Sequence, residues 1–170
     1  MVEAVNFNDP VQTVIAGSKA AVDKACEILK AAGARRALPL PVSAPFHSSL
    51  MKPAAEKLKA ELDTTVLGTP QIPVLNNIDV AVEVMPERIR NALYRQAFGP
   101  VRWVESVAAI KTRGVATLVE CGPGKVLAGL VRRIDADLTG LPLFDPATLA
   151  EARGVLQRTW FRLKARWPSS

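Results

Sequence analysis

Short apolar runs and one helical stripe divide the first forty residues of the chain. Residues 12–16 form an apolar, partly β-branched run closed by a glycine, which predicts a strand. Apolar side chains then recur at helical spacing, at Val22, Ala25, Leu29 and Ala32. This stripe predicts a helix over residues 19–32, with Ser18 as its N-cap. Residues 35–40 predict a second strand, so we expect strand, helix and strand in that order.

The rest of the chain alternates predicted helices with predicted strands. Two prolines make residues 41–47 extended or turning, and a helix follows over residues 48–63, with Pro53 in its first turn or at a kink. Further helices are predicted at 86–98, 101–113 and 126–134, and further strands at 72–77 and 115–120. This alternation predicts an α/β fold with a mainly parallel sheet.

The composition is that of a globular protein. The 170 residues are 49% hydrophobic and 22% charged, which is enough to bury a core and excludes general disorder. The length predicts one domain, or one domain with a small appendage. The net charge is +6, but all 16 acidic residues and only 17 of the 22 basic ones precede residue 153, which leaves +1 for residues 1–152. The basicity belongs to the tail, and we expect no nucleic-acid partner.

Other features of the sequence favour a cytoplasmic protein. No apolar run approaches the roughly 18–20 residues of a membrane span, and the first seven residues lack the features of a secretory signal. Two cysteines are too few for a disulfide scaffold, and Cys121 is expected to be the buried end of a strand. We therefore expect a soluble protein of a reducing cytoplasm.

The one histidine, His47, ends the proline-containing loop and begins the next predicted helix. A neutral imidazole at that position can act as a general base near pH 7, although a lone histidine can equally be structural. No Gly-x-Ser-x-Gly elbow occurs in the sequence, and its serines at 43, 48, 49 and 106 are candidates only by residue type. The residues alone thus give a candidate base without a nucleophile.

The turn at residues 122–125, Gly-Pro-Gly-Lys, leads from a predicted strand into a predicted helix. Such a position can bind a phosphate, but the P-loop pattern fails at Val119, where glycine is required, and at Val126, where serine or threonine is required. A tight turn is therefore the favoured interpretation. No set of His, Cys or carboxylate residues has the spacing of metal ligands, so neither a metal nor a cofactor is predicted.

Five sequence blocks occur in the order in which one enzyme family has them. They are Val5-Asn6-Phe7-Asn8, Val14-Ile15-Ala16-Gly17, residues 37–48, Val74-Leu75-Asn76-Asn77, and residues 120–127. Together they resemble the malonyl-CoA:acyl-carrier-protein transacylases of bacterial fatty acid synthesis. The resemblance runs from about Val5 to Leu149 and covers the C-terminal half of the usual length of that family.

The resemblance implies a fold with two subdomains. The family has a large α/β-hydrolase-like subdomain with a ferredoxin-like subdomain inserted into it. Residues 1–40 then correspond to the C-terminal half of the small ferredoxin-like subdomain, and residues 41–150 to the C-terminal part of the large α/β acyltransferase subdomain. Residues 151–170 are left as a basic, tryptophan-containing tail.

The resemblance also implies a reaction and its residues. In the family, malonyl-CoA acylates a serine, which then passes the malonyl group to the phosphopantetheine thiol of acyl carrier protein. His47 matches the catalytic histidine, and Gln96 matches the glutamine whose backbone carbonyl orients it. Asn8 matches an asparagine near the substrate pocket, although Asn-Asp-Pro also fits a simple turn. In related polyketide acyltransferases a phenylalanine at the position of Phe46 accompanies malonyl selection, although a core phenylalanine would fit as well.

Three parts of the family's active site have no match in the sequence. These are the serine elbow, the Gly-Gln-Gly-Ser loop and the arginine that pairs with the malonyl carboxylate. We therefore expect a C-terminal fragment that is inactive alone, whether it comes from a split gene, an internal start or an incomplete gene model. A separate N-terminal half bearing the serine is a candidate partner. The alternative is a non-catalytic interaction protein, or an inactive remnant.

The tail, residues 151–170, departs from the family, and the alternative of a non-catalytic interaction protein rests on it. Leu156, Trp160, Leu163 and Trp167 recur at helical spacing between basic residues. They could form a basic amphipathic helix for a membrane surface or a partner. A helix docked on the exposed half-core, or read-through of a damaged reading frame, is the favoured interpretation, so membrane contact is not expected.

Overall fold

The computed structural model describes the backbone of residues 1–166 and the side chains of residues 1–158. The chain divides into two units, Met1–Ala109 and a second that begins at Ile110. The α-helices are α1 (Lys19–Ala31), α2 (Lys52–Thr64), α3 (Pro86–Gln96), α4 (Trp103–Lys111), α5 (Val126–Ile134) and α6 (Pro146–Arg166). The strands are β1 (Val2–Asp9), β2 (Gln12–Gly17), β3 (Leu75–Asn76), β4 (Ala81–Val82), β5 (Thr117–Cys121) and β6 (Thr139–Leu143). The order mixes helices and strands, as the α/β prediction requires.

The first unit begins with an antiparallel hairpin of β1 and β2. The turn between them is closed by Asp9, whose Oδ1 accepts a hydrogen bond from Val11 N–H at 2.9 Å. β1 also carries one parallel bridge to the segment before α4: Val101 N–H donates to Val5 O at 2.7 Å, and Phe7 N–H donates to Val101 O at 2.9 Å. Val5 is buried, so β1 forms part of the core of this unit.

The predicted strand at residues 35–40 is wrong. This segment has no regular structure, and Leu38 and Leu40 are exposed. Pro39 and Pro41 cannot donate to a sheet, and Val42 N–H closes a local turn on Leu40 O at 2.8 Å. The first forty residues therefore fold as strand, strand and helix.

The ends of α1 only partly follow the prediction. Ser18 occupies the N-cap position, but its side chain makes no capping hydrogen bond. Its amide instead donates to Met1 O at 3.1 Å, which extends the pairing of the hairpin. Gly33 follows the helix with a φ of +94°, a left-handed conformation that suits a glycine stop.

The expected mainly parallel sheet is also wrong for the described part of the chain. β1–β2 and β3–β4 are antiparallel, and β5–β6 is parallel. Short turns join the first two pairs, and only antiparallel strands can be joined so closely. The strand predicted at residues 72–77 shortens to β3, with Ile72 and Val74 exposed.

A helix pair completes the first unit. The helix predicted over residues 48–63 is present as a 3₁₀ turn, Ser49–Met51, followed directly by α2 with Pro53 in its first turn. α2 packs on α3 through the buried Ala55, Leu62 and Ala92. Arg90 of α3 donates to Leu62 O at 2.7 Å, and so satisfies a carbonyl at the end of α2.

The second unit is a β-α-β element. α5 connects the parallel strands β5 and β6 and covers them with the buried Leu130 and Val131. The predicted helix at 126–134 is confirmed with the same bounds. β6, which the sequence did not predict, passes close to α5 at Gly140, where a Cβ would overlap the backbone of Ala128.

α6 ends the described chain. Its Ala152 is buried and Leu156 is nearly half exposed. The side chains of Trp160 and Leu163, and Trp167 as a whole, lie outside the described residues, so the amphipathic tail stays a prediction. Among the described residues, every helix is too short or too polar to cross a membrane.

Candidate active site

His47 ends the proline-containing loop in a strained conformation. Its φ is +62°, in the left-handed region that residues other than glycine rarely adopt. Its side chain is partly buried, and Nδ1 lies 3.1 Å from the backbone oxygen of Gln96. A carbonyl oxygen only accepts, so this contact requires the proton on Nδ1 and leaves the lone pair on Nε2. A neutral imidazole held in that tautomer is a base at Nε2.

The Gln96 carbonyl lies at the end of α3, and Pro100 offers no backbone N–H that would compete for it. Gln96 is the last residue of α3, and in a continuing helix its carbonyl would accept from the amide of residue 100. Residue 100 is proline and has no N–H to donate. The helix end therefore presents an unsatisfied acceptor, and His47 supplies the donor. The sequence contained this signal, since a proline stands four residues after Gln96, but our sequence analysis missed it.

The turn after α3 is tightly built. The Gln96 side-chain Nε2 lies 3.4 Å from both Gly99 O and Pro100 O, and Gly99 is buried. A Cβ at Gly99 would overlap the side chain of Ile78 and lie 2.8 Å from Arg95 O. Only glycine fits there without movement of the neighbouring chain. The position of the Gln96 carbonyl thus depends on the side chain of Gln96 and on the lack of a side chain at Gly99.

An ion pair that the sequence did not indicate holds the same end of α3. Arg95 donates two hydrogen bonds to the carboxylate of Asp79, at 2.7 and 2.6 Å. Hydrogen bonding from the Arg95 guanidinium holds the pKa of Asp79 below its ordinary value. Asp79 is itself fixed by its amide, which donates to Asn76 Oδ1 at 2.8 Å. The residue next to Gln96 is therefore tied to the β3–β4 turn by a two-point contact.

Two serines follow His47, and both are engaged in holding the loop. Ser48 is fully buried, and its hydroxyl donates to Pro45 O at 2.6 Å. The Ser49 hydroxyl donates to a carboxylate oxygen of Glu3 at 2.5 Å, and the Ser49 amide lies 3.2 Å from both carboxylate oxygens. Glu3 belongs to β1, 46 residues away in the sequence. Its role in the loop could not be read from local patterns.

Phe46 and Asn8 take different positions around this centre. Phe46 directly precedes His47 and is 49% exposed in this chain. Asn8 is half buried near the end of β1, where the pairing register shifts between Phe7 and Asp9. Such bulges re-aim side chains. Of the four predicted site residues, His47 and Gln96 are joined by a hydrogen bond, Phe46 is adjacent in the chain, and Asn8 shares β1 with Glu3.

The second glycine-rich turn, which lies in the second unit, has a different chemistry. Gly122 and Gly124 have φ values of +140° and +112°. Glu120 Oε2 accepts a hydrogen bond from Ala128 N–H at 2.8 Å, in the first turn of α5. A carboxylate therefore already occupies the helix end at which a phosphate would bind, which favours the tight-turn interpretation. Cys121 beside it is exposed, so the expectation of a buried strand end is wrong.

The serine candidate in α4, Ser106, is held by structural contacts. The buried Ser106 hydroxyl donates within the fold, with Arg102 O at 2.8 Å and Asn77 Oδ1 at 3.0 Å as acceptors. Among the described side chains, no group of three or more His, Cys, Asp or Glu residues is arranged to hold a metal ion.

No family model matches the chain, but individual proteins do. A malonyl CoA-acyl carrier protein transacylase of Salmonella typhimurium is 53% identical over 152 residues, which are 89% of this chain and 49% of that protein. The chain thus spans about half the length of the curated relatives it matches.

Solved structures give the same result. The crystal structure of an acyl-carrier-protein S-malonyltransferase from Burkholderia pseudomallei is 62% identical with a TM-score of 0.87, covering 89% of this chain and 50% of that one. A malonyl-transacylase solved in complex with its type II polyketide synthase acyl-carrier protein is 53% identical with a TM-score of 0.87, covering 89% and 49%. These matches confirm the resemblance that the sequence blocks indicated.

Proposed function

We propose, from the homology of this chain to about half of the malonyl CoA-acyl carrier protein transacylases, that it supplies the general base of a malonyl transfer. The transfer moves malonyl from coenzyme A to the phosphopantetheine thiol of an acyl carrier protein, in fatty acid synthesis. The observation that carries the proposal is the 3.1 Å contact between His47 Nδ1 and Gln96 O. It is the arrangement that fixes one imidazole tautomer and leaves Nε2 as the base.

The chemistry proceeds in two acyl transfers. Nε2 of His47 takes the proton of a serine hydroxyl as the serine oxygen attacks the thioester carbon of malonyl-CoA. The imidazolium then returns that proton to the departing coenzyme A sulfur, which leaves a malonyl-serine ester. In the second transfer, Nε2 takes the proton of the carrier thiol as its sulfur attacks the ester, and the proton returns to the serine oxygen.

A backbone carbonyl suits this cycle as the partner of the imidazole. It accepts a hydrogen bond from the Nδ1–H group and so prevents the ring from turning, as the carboxylate does in a serine triad. It carries no charge, so no buried carboxylate has to be compensated when the ring is neutral. The strained His47 backbone is maintained by its contacts, which is a frequent feature of catalytic loops.

We propose that the nucleophile comes from another polypeptide segment. The 170 residues contain no Gly-x-Ser-x-Gly motif. The Ser48 hydroxyl donates a hydrogen bond to the Pro45 carbonyl, and the Ser49 hydroxyl donates one to the Glu3 carboxylate. We propose that a half bearing the serine, the oxyanion hole and the malonyl-binding arginine completes the site. The isolated chain is then inactive.

Exposed apolar side chains support such a complement. Leu38, Ile72 and Val74 are 67%, 76% and 62% exposed, and they lie in the parts of the predicted strands 35–40 and 72–77 that form no strand. Pairing and covering of these segments by the other half would bury them. From the resemblance to the family we also propose the subdomain assignment, with residues 1–40 as the C-terminal half of a ferredoxin-like subdomain and residues 41–150 as the C-terminal part of an α/β-hydrolase-like one.

Phe46 and Asn8 are proposed to contact the acyl group. The half-exposed ring of Phe46 beside His47 would exclude the additional methyl of methylmalonyl by its bulk. Asn8 offers an amide, at a strand bulge, that could bind the thioester or the malonyl carboxylate. The protein would act in the cytoplasm, where malonyl-CoA and the carrier protein are available.

The test is complementation. This chain and a serine-bearing half, each inactive alone, are co-purified and incubated with malonyl-CoA and acyl carrier protein, and malonyl-carrier protein is quantified by mass spectrometry. We expect product from the pair only. If the two halves form a monodisperse complex without catalysing transfer, the proposal is wrong and a non-catalytic interaction protein is the better account.

A further inference from the structure

Besides the His47–Gln96 hydrogen bond, an acidic side chain ties the loop with His47 to β1. The Glu3 carboxylate accepts a hydrogen bond from the Ser49 hydroxyl at 2.5 Å. Both of its oxygens also lie 3.2 Å from the Ser49 amide nitrogen. Ser49 begins the helical segment that leads into α2, where amide groups lack helical acceptors. A carboxylate satisfies these donors with charge-assisted hydrogen bonds.

The contact lies two residues from the strained histidine. His47 has a φ of +62°, which the loop must be held to maintain. The segment before His47 is held at Pro45, whose carbonyl oxygen accepts a hydrogen bond from the Ser48 hydroxyl at 2.6 Å. The following side is fixed by Glu3 through Ser49. Release of either side would allow the His47 backbone to relax and the ring to leave Gln96.

The strand that carries Glu3 also fixes the acceptor. Two residues along β1, Val5 O accepts from Val101 N–H at 2.7 Å, and Phe7 N–H donates back to Val101 O at 2.9 Å. Val101 directly follows Pro100, which offers no backbone N–H to the Gln96 carbonyl. β1 therefore holds the loop with His47 at one end and the turn with Gln96 further along.

We propose that Glu3 is a positioning residue for His47: through Ser49 it holds the strained loop so that Nδ1 meets the Gln96 carbonyl. The catalytic meaning of this role rests on the proposed function. The positioning itself does not, because it concerns one imidazole in this chain.

The first experiment measures the ring directly in the full chain. His47 is the only histidine, so exchange of its imidazole C2 hydrogen with deuterium can be followed by mass spectrometry in one peptide. The variants are Glu3→Ala, Glu3→Gln, which keeps one acceptor oxygen, and Ser49→Ala, which removes the hydroxyl donor. The matched control is Glu27→Ala, an exposed carboxylate paired with Lys24 on α1.

We expect ring exchange to rise about tenfold in Glu3→Ala, less in Glu3→Gln and Ser49→Ala, and not at all in Glu27→Ala. Backbone amide exchange should rise in residues 45–51 and stay unchanged in the β1–β2 hairpin. Unchanged ring exchange in Glu3→Ala overturns the proposal. So does a uniform rise over the whole hairpin, because that is loss of strand pairing. If Glu3→Ala does not fold, Ser49→Ala, which leaves β1 intact, decides by the same criteria.

A second experiment tests the catalytic consequence in the reconstituted pair. Glu3→Gln should lower kcat about tenfold with little change in KM for malonyl-CoA, since the proposed role of Glu3 acts through Ser49 and His47 and not through binding of the substrate. A raised KM with unchanged kcat would place Glu3 in substrate binding and contradict a positioning role. If the pair is inactive for every variant, the proposed function fails, while the ring-exchange result still decides the role of Glu3.

Discussion

The His47 loop and the Gly122–Lys125 turn solve the same structural problem with different residues. Both lead into a helix, and in both a carboxylate accepts an amide proton from the first turn, Glu3 from Ser49 and Glu120 from Ala128. Both contain backbone at positive φ. The turn in the second unit uses glycines for this, whereas the loop in the first unit uses histidine.

The difference shows where the fold tolerates strain. Glycine adopts positive φ at no steric cost, so the Gly122–Lys125 turn can be formed by local contacts. A histidine in that conformation is unfavourable and depends on contacts with distant segments, those with Glu3 and with Gln96. Of these two segments, the strained one carries the side chain that we propose as the base, and the glycine turn carries none. Val80, in the β3–β4 turn, is a second strained residue, with a φ of +56°.

The largest expected effect is the loss of the imidazole itself. His47→Ala in the reconstituted pair should lower malonyl transfer at least about a thousandfold, because the serine loses its base. Association of the two halves should not change, which size-exclusion chromatography can check. A variant with near-normal transfer would show that another group is the base.

Restoring the missing amide should have an intermediate effect. Pro100→Ala supplies an N–H that can compete with His47 for the Gln96 carbonyl. The rate of transfer should therefore fall about tenfold, which corresponds to the free energy of about one lost hydrogen bond in the site. Pro86→Ala, at the other end of α3, is the control and should leave transfer unchanged. Equal rates for Pro100→Ala and the unmodified pair would mean that Pro100 is not what keeps the acceptor free.

A side chain in the glycine turn should affect stability alone. Gly124→Ala should lower the free energy of unfolding by about 1–2 kcal/mol, because its φ of +112° is unfavourable for a residue with a Cβ. A Cβ there would meet no atom within 4 Å, so the backbone conformation alone causes the effect. Gly129→Ala, in α5 and equally free of contacts, should instead raise it by up to about 1 kcal/mol. Urea denaturation at one protein concentration measures both. Equal effects at the two positions would refute the assignment of the difference to backbone conformation.

The smallest effect concerns pH. Arg95 lowers the pKa of Asp79 in the folded state, so the pair contributes stability at pH values above the ordinary pKa near 3.8. That contribution is lost as the pH falls through the lower folded value. The Tm of Asp79→Asn should therefore fall less between pH 5 and pH 2.5 than that of the unmodified protein. Asp63→Asn, exposed on α2, is the control, and an identical acid dependence of Asp79→Asn and the unmodified protein would contradict this role.

The sequence predicted the features that depend on local signals and missed those that depend on contacts between distant segments. α5 and the turn before it were predicted with their bounds, since helical periodicity and glycines are local signals. The strand at 35–40 failed because strand formation needs a neighbour, which local pattern cannot supply. His47 was identified as a candidate base from its loop, but its pairing with Gln96 came from the family resemblance. Glu3, 46 residues from Ser49, gave no signal at all.

The central claim is that this chain provides the base for a serine located in another segment. Intact-mass measurement of both chains, after brief exposure of the reconstituted pair to labelled malonyl-CoA, tests this most directly. We expect one malonyl group on the serine-bearing half, formed rapidly only when this chain with His47 is present, and none on this chain. A stoichiometric malonyl adduct on a serine of this chain, or acylation of the other half at the same rate without it, would contradict the account.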